Sequence, residues 1–361
     1  MLYVLTVYII LYSLSLLFAI QCKNIGKRKS IWKSYPVYLL IFTFTFIVGL
    51  RWDVGVDYMG YYYLYIGDYQ YNSFDRLELI PRSLMNFSNS IGLPFYSWFM
   101  AMAFFQILFL IKAFEKYFFD YLPLGVFFFL IMYLAFDMNV VRQGVALSIA
   151  LYSYTFIKEK RIIPFLFFGV LAFFFHKSAV LITPLFLFAF LKRFPGPFFQ
   201  LALFIFFIFL GQLILDKLIS ISGPYWDLLQ WGHKVDQLAD NEWEIEEGTG
   251  MGVLITYIRY SIMIIFSQQA LKRDTSSNVL IFYYIFFVGA CFYSVTKNDM
   301  LLSRLNDYFL ICDVLVSAVF IKIWLSSKNF LNIAAATICM LANVAWFASN
   351  LLRSEWQFVW D

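Results

Sequence analysis

Residues 278–296 read NVLIFYYIFFVGACFYSVT, a run with no charged side chain set between Lys272-Arg273-Asp274 and Lys297. A spanning helix needs about 20 mostly apolar residues, because the hydrocarbon core of a bilayer is about 30 Å thick. The run meets that length. Outward from it, comparable apolar segments recur near 2–20, 35–50, 91–111, 121–136, 140–157, 162–175, 178–191, 198–215, 251–271, 300–321 and 329–350. The expected fold class is all-α: a polytopic membrane protein of about 12 transmembrane helices, forming one transmembrane domain over 1–361. The arms 162–175 and 178–191 are short and share His176-Lys177 as a tight turn.

Composition agrees. Hydrophobic residues make up 62% and charged residues 14%, with 45 Phe, and the mean hydropathy is +0.74. A soluble domain is nearer half apolar and a quarter charged. The net charge of +4 is small and its basic residues are scattered through short loops, so no coherent face for nucleic acid exists. Cys22, Cys291, Cys312 and Cys339 lie in or beside apolar segments without ligand spacing and read as small hydrophobes. The first segment lacks a basic n-region and a small-x-small cleavage site before Lys23, so a retained first span is expected.

Charge orients the spans. Basic residues concentrate after the odd-numbered spans: Lys23 to Lys33, Lys112 and Lys116, Lys158 to Arg161, Lys192-Arg193, Lys272-Arg273, and Lys322 with Lys328. By the positive-inside rule these loops are cytoplasmic, and both termini fall outside. The two larger opposite loops, 51–90 and 216–250, are acidic. They contain two amphipathic stretches, 77–91 and 224–239, expected as interfacial helices. No phosphate-binding glycine motif of the Walker or GxGxxG type is present, so no cofactor is expected. Asp53 and Asp57 make only a weak cation motif, and no metal is expected. The absence of an obvious internal repeat weakens a transporter of duplicated halves.

Polar residues gather where spans meet the outer loops. Arg51 opens the run Arg51-Trp52-Asp53-Val54-Gly55-Val56-Asp57-Tyr58. Arg142-Gln143 starts one span, His176-Lys177-Ser178 joins two more, and Arg304 lies three and four residues before Asp307 and Tyr308. Arg259 lies about 12 Å inside its span at 1.5 Å per residue. Each arginine alone fits snorkelling to headgroups, and Arg304 with Asp307 fits a structural ion pair. Several arginines outside, against the positive-inside trend, point instead to an anionic ligand, because the guanidinium fork meets phosphate oxygens in pairs. Trp52, Tyr58, Tyr61–Tyr63, Tyr225, Trp226, Trp231 and Trp243 interleave with these charges, as an interfacial belt or as surfaces on which sugars stack.

These segments resemble the EpsG/Wzy-like family of bacterial exopolysaccharide and O-antigen polymerases. The likeness covers roughly 1–320. It rests on Arg51…Gly55-Val56-Asp57-Tyr58 with its following tyrosines and on Glu78 ahead of a stretch ending in Ile91-Gly92. Arg142-Gln143 with Ala146, Phe175-His176-Lys177-Ser178-Ala179 and Arg304…Tyr308-Phe309 complete it. Val56 departs from the pattern, where a small hydroxyl residue is more usual. The resemblance implies a glycosyltransferase of the bacterial inner membrane with an outward-facing site. Its substrates would be undecaprenyl-pyrophosphate-linked glycan donor and acceptor, polymerised into O-antigen, capsule or exopolysaccharide. The bilayer is a partner, and a chain-length regulator protein is a further one the resemblance allows. In that reading Arg142 and Arg304, helped by Arg51 or Arg259, stabilise the leaving pyrophosphate. His176, Asp57 and Glu78 are the available bases for the acceptor hydroxyl, and the imidazole ordinarily titrates nearest neutrality. Lys177, Tyr58 and Tyr308 complete the expected substrate-binding set. A ligase passing glycan to another acceptor, a flippase or other transporter, and a non-enzymatic assembly partner are the rival readings.

Overall fold

The computed structural model describes residues 2–26, 31–55, 57–68, 77–191, 195–228, 250–273 and 279–351, and no strand occurs among them. The helices are α1 (Leu2–Gly26), α2 (Tyr35–Gly49), α3 (Tyr58–Ile66), α4 (Leu79–Ser90) and α5 (Tyr96–Glu115). They continue with α6 (Leu122–Asn139), α7 (Val141–Lys158), α8 (Ile162–Phe175) and α9 (Pro197–Leu228). The last are α10 (Met251–Ile265), α11 (Ser267–Arg273), α12 (Val279–Thr296), α13 (Met300–Leu310), α14 (Cys312–Leu325) and α15 (Phe330–Leu351).

Each of the twelve apolar segments is helical, but they are not equivalent as membrane spans. Among the described residues six helices are long and apolar enough to cross a membrane, or seven when α10 and α11, bent by 47°, count as one broken span. The decisive run of the sequence is one of them, α12. The segments at 35–50, 121–136, 162–175 and 178–191 form shorter apolar helices. The last of these is a 3₁₀ helix, Lys177–Phe190, with Pro184 inside it. Runs of more than three or four residues in this form are uncommon. At a rise of about 2 Å per residue it extends about 28 Å, whereas fourteen α-helical residues reach about 21 Å.

The segment at 140–157 meets no span criterion, because α7 carries Arg142, Gln143 and a string of small residues. It is instead the centre of the bundle, in contact with α5, α6, α8, the 3₁₀ helix, α12 and α13. Gly144, Ala146, Ser148, Ala150 and Ser153 are all buried. Small residues let helix backbones approach closely where lipid offers no hydrophobic drive for association.

The two long loops expected on the outside differ from expectation. The amphipathic stretch at 77–91 forms α4, and the tyrosine cluster forms α3. The loop expected over 216–250 begins later, because α9 continues without a break to Leu228; Leu215, Leu218 and Ile219 sustain its helical apolar spacing. The rest of the stretch 224–239, with Trp231 and Trp243, lies outside the described residues.

The bundle has two unlike ends. At one, Lys116 and Arg161 pair with Glu159, Lys112 lies 5.0 Å from the Trp32 ring, and Lys322 donates to the Asp120 carbonyl at 3.0 Å. The basic loops therefore converge. Arg142 lies about 24 Å from Lys158 along α7, at 1.5 Å per residue, and marks the other end, where it pairs with Glu78.

Candidate functional site

The loop before α3 is fixed first. Arg51, 1% exposed, donates to the carbonyls of Val48 at 2.6 Å, Met138 at 3.0 Å and Val54 at 3.4 Å, and its guanidinium lies 4.2 Å from the Phe99 ring. Gly55 adopts φ +99°, and a Cβ there would stand 2.9 Å from the Met138 carbonyl oxygen. Only glycine suits both the conformation and the approach. Asp57 N–H then donates to Asn139 Oδ1 at 3.2 Å. The Arg51–Asp57 run is thereby riveted to the end of α6, and it leaves the Asp57 carboxyl free of any capping bond to α3.

Beside this loop a hydrogen-bonded network links side chains from four other segments. Glu78, at the N-terminus of α4 and 8% exposed, pairs with Arg142 Nη1 through one oxygen and accepts the Lys177 N–H at 3.3 Å through the other. Arg142 Nε donates to the Tyr61 hydroxyl at 3.0 Å. His176 ends α8 in an extended conformation, with Nδ1 2.5 Å from Ser178 Oγ. Ser178 donates to the Tyr308 hydroxyl at 3.0 Å, and Tyr154 holds that turn of α13 by donating to the Tyr308 carbonyl at 2.8 Å. Gln143 Nε2 donates to the Arg304 carbonyl at 2.5 Å, while its Oε1 is buried without a partner.

The electrostatics turn on two arginines and Asp57. Burial raises the Asp57 pKa above the ordinary carboxylate value, and the positive charges of Arg304 and Arg142 act against that rise. Both guanidiniums are thus close enough to be felt there. Arg142 is committed to Glu78 and Tyr61. Arg304, half-buried, makes no side-chain hydrogen bond or ion pair among the described residues, and the ion pair with Asp307 does not form. A charged fork held at the edge of a polar cluster without a protein partner has the form of a ligand-binding group.

Of the residues singled out from the sequence, the structure brings together Asp57, Glu78, Arg142, His176, Lys177, Arg304 and Tyr308. The Lys177 ammonium is exposed. Tyr58 is enclosed, stacked on Phe99 at 4.7 Å, and Tyr61 packs on Trp98; these rings build the wall behind the cluster and offer no open face. Arg51 stands behind the same wall. Arg259 lies elsewhere, in α10, in a two-contact pair with Asp313 at 3.0 and 2.5 Å. Tyr154 and Asn139 had no role in the sequence reading, while Tyr61 was read only as an aromatic surface and Ser178 only as part of the turn after His176. A hydroxyl two residues beyond the histidine was a signal for Ser178, but the others depend on contacts across more than 80 positions.

No curated protein and no solved structure matches the chain. The model of the EpsG family matches residues 34–360, a range that takes in α2 to α15 and every side chain of the cluster; the chain belongs to the EpsG family.

Proposed function

We propose that this protein is a membrane glycosyltransferase that polymerises undecaprenyl-pyrophosphate-linked oligosaccharide repeat units into O-antigen, capsule or exopolysaccharide, at the outer face of the bacterial inner membrane. The observation that carries this reading is the meeting of Arg142, Arg304, His176, Asp57 and Glu78 at the bundle end opposite the basic loops. By the positive-inside rule that end is extracytoplasmic, and a lipid pyrophosphate with its tail in the bilayer would lie at the same level.

Arg304 takes the pyrophosphate oxygens with its whole fork, and Arg142, held by Glu78 and Tyr61, adds preorganised positive charge. The bond between the anomeric carbon and the pyrophosphate oxygen breaks, and its electron pair leaves with the pyrophosphate. Asp57 supports the positive charge that develops on the sugar. The acceptor hydroxyl oxygen forms the new glycosidic bond, and its proton passes to Nε2 of His176. Glu78 and Arg51 are positioning residues in this scheme. Reconstitution of the purified protein with a lipid-linked repeat unit tests it. Longer lipid-linked glycans are expected, and transfer only to an added non-glycan acceptor, or movement across the bilayer without new bonds, would refute it.

A further inference from the structure

On the other face of α13 lies a cavity of about 180 Å³ that the scheme above does not use. It is bounded by α6, α10, α12, α13, α14 and α15, and Tyr260, Tyr293 and Trp346 form much of its wall. Asp307 and Asn343 also face it. The Asp307 carboxyl has no hydrogen bond or ion pair among the described residues. Asn343 is 4% exposed, and its Nδ2 is buried without an acceptor. A buried amide without an acceptor beside a half-buried carboxyl without a partner, both facing one space, requires an explanation.

The charge balance narrows what can enter. Asp313 is already used by Arg259 and by Ser317, which donates to it at 2.7 Å. One arginine faces both Asp307 and Asp313, so the lining has no surplus of positive charge, which disfavours an anion. A lipid tail would leave both polar groups unpaired. Among the described residues no group of three His, Cys, Asp or Glu side chains is placed to hold a metal ion. A carboxyl that accepts, an amide that donates and aromatic faces that receive C–H groups match a neutral hydroxylated ring. The volume is comparable to the roughly 150 Å³ in which a six-membered ring is accommodated.

We propose that this cavity is a glycan subsite that takes one uncharged sugar ring of the lipid-linked substrate, through Asp307, Asn343 and the aromatic wall. The inference rests on the glycosyltransferase reading above. α13 is the shared partition: Tyr308 faces the His176 cluster through Ser178, Asp307 faces the cavity, and Arg304 stands one turn before them. A pyrophosphate on Arg304 thus has a sugar site next to it.

The test uses the full chain in lipid nanodiscs and the oligosaccharide freed from the host's own lipid-linked repeat unit by removal of its pyrophosphate lipid. Titration calorimetry should show this free oligosaccharide binding to wild type, with at least tenfold weaker binding to Asn343→Leu and to Asp307→Asn. Arg304→Lys should bind it as wild type does, because the probe carries no pyrophosphate. The thermal melting of each variant shows that it is folded, and Ile255→Trp, which fills the cavity from its apolar side, should abolish binding without touching a polar group. Equal affinity in wild type and the three cavity variants would overturn the subsite, as would displacement of the probe by Na⁺ or K⁺. If the lipid-linked unit binds and polymerises while the free oligosaccharide does not bind, the subsite falls and the enzyme reading stands; if neither binds, both fall.

Discussion

Ser178 Oγ lies 2.5 Å from Nδ1 of His176 and donates its own proton to the Tyr308 hydroxyl. The serine hydroxyl therefore bridges the imidazole and the Tyr308 hydroxyl, and this bridge fixes the orientation of the ring. Tyr308 on α13 thus positions the serine, and the serine positions the imidazole.

His176→Gln keeps a polar side chain but removes the base. Turnover should fall on the order of a hundredfold or more, the usual contribution of a positioned general base, while the affinity for the lipid-linked donor is retained. Ser178→Ala should cost less, roughly tenfold, and shift the pH profile of turnover, with Ser178→Thr restoring both. Single-turnover rates measured beside donor binding separate these effects. Wild-type turnover in His176→Gln would remove the histidine from the reaction.

Arg142 and Arg304 should fail differently. Arg304→Lys keeps the charge and loses the planar fork; with no protein partner to lose, the variant should melt like wild type and turn over about a hundredfold more slowly. Arg142→Lys keeps a charge beside the buried Glu78 carboxylate but loses the fork that also holds the Tyr61 hydroxyl, a loss of about 1–3 kcal/mol for a charged hydrogen bond, so both stability and activity should drop. Thermal melts in detergent beside polymerisation assays would show the contrast. Equal melting of the two variants would contradict the assignment of Arg142 as the braced arginine.

Asp57 supplies a pH test. Its folded-state pKa is raised, chiefly by burial, so ionisation is harder in the folded protein than in the unfolded chain. That penalty is fully present above the folded pKa and vanishes below the ordinary carboxylate value. Asp57→Asn should therefore raise the apparent Tm by roughly 1–3 °C at neutral pH and leave it unchanged at acid pH, while polymerisation is lost. A lower Tm at neutral pH would mean that the two arginines stabilise the ionised form more than burial disfavours it.

Some of this was legible in the sequence and some was not, for physical reasons. α12 announces itself because nothing polar interrupts it. Lys177–Phe190 does not announce its 3₁₀ form, since an all-apolar run has no periodicity with which to tell three residues per turn from 3.6, and only Pro184 hints at it. α9 runs past Gly223 and Pro224, residues that ordinarily signal a stop. In the site, Arg142, His176 and Arg304 stood out because charge at the ends of spans away from the basic loops runs against the sequence trend. Arg51 looked the same from the sequence, and only its bonds to carbonyls as distant as Met138 reveal a brace instead of a ligand-binding group. The cavity beside Asp307 was invisible, because Asn343 and Trp346 lie in a segment that reads simply as apolar.

Which end of the bundle faces out can be measured with the protein's own chemistry. Cys22, Cys291, Cys312 and Cys339 are all buried thiols, so they give little background to a membrane-impermeant maleimide. Ser90, at the exposed end of α4, lies on the side of the candidate site, and Lys328, exposed between α14 and α15, lies at the basic end. On intact spheroplasts Ser90→Cys should label within minutes, and Lys328→Cys only after permeabilisation, because basic loops are retained in the cytoplasm. Neither residue belongs to the proposed machinery, so both variants should still polymerise, which shows that the labelled protein is natively folded. The reverse pattern, Lys328→Cys labelled from outside and Ser90→Cys protected, would put Arg142, His176 and Arg304 on the cytoplasmic face. A lipid pyrophosphate displayed outside the membrane could not then reach them, and the proposed reaction would have to be abandoned together with the orientation.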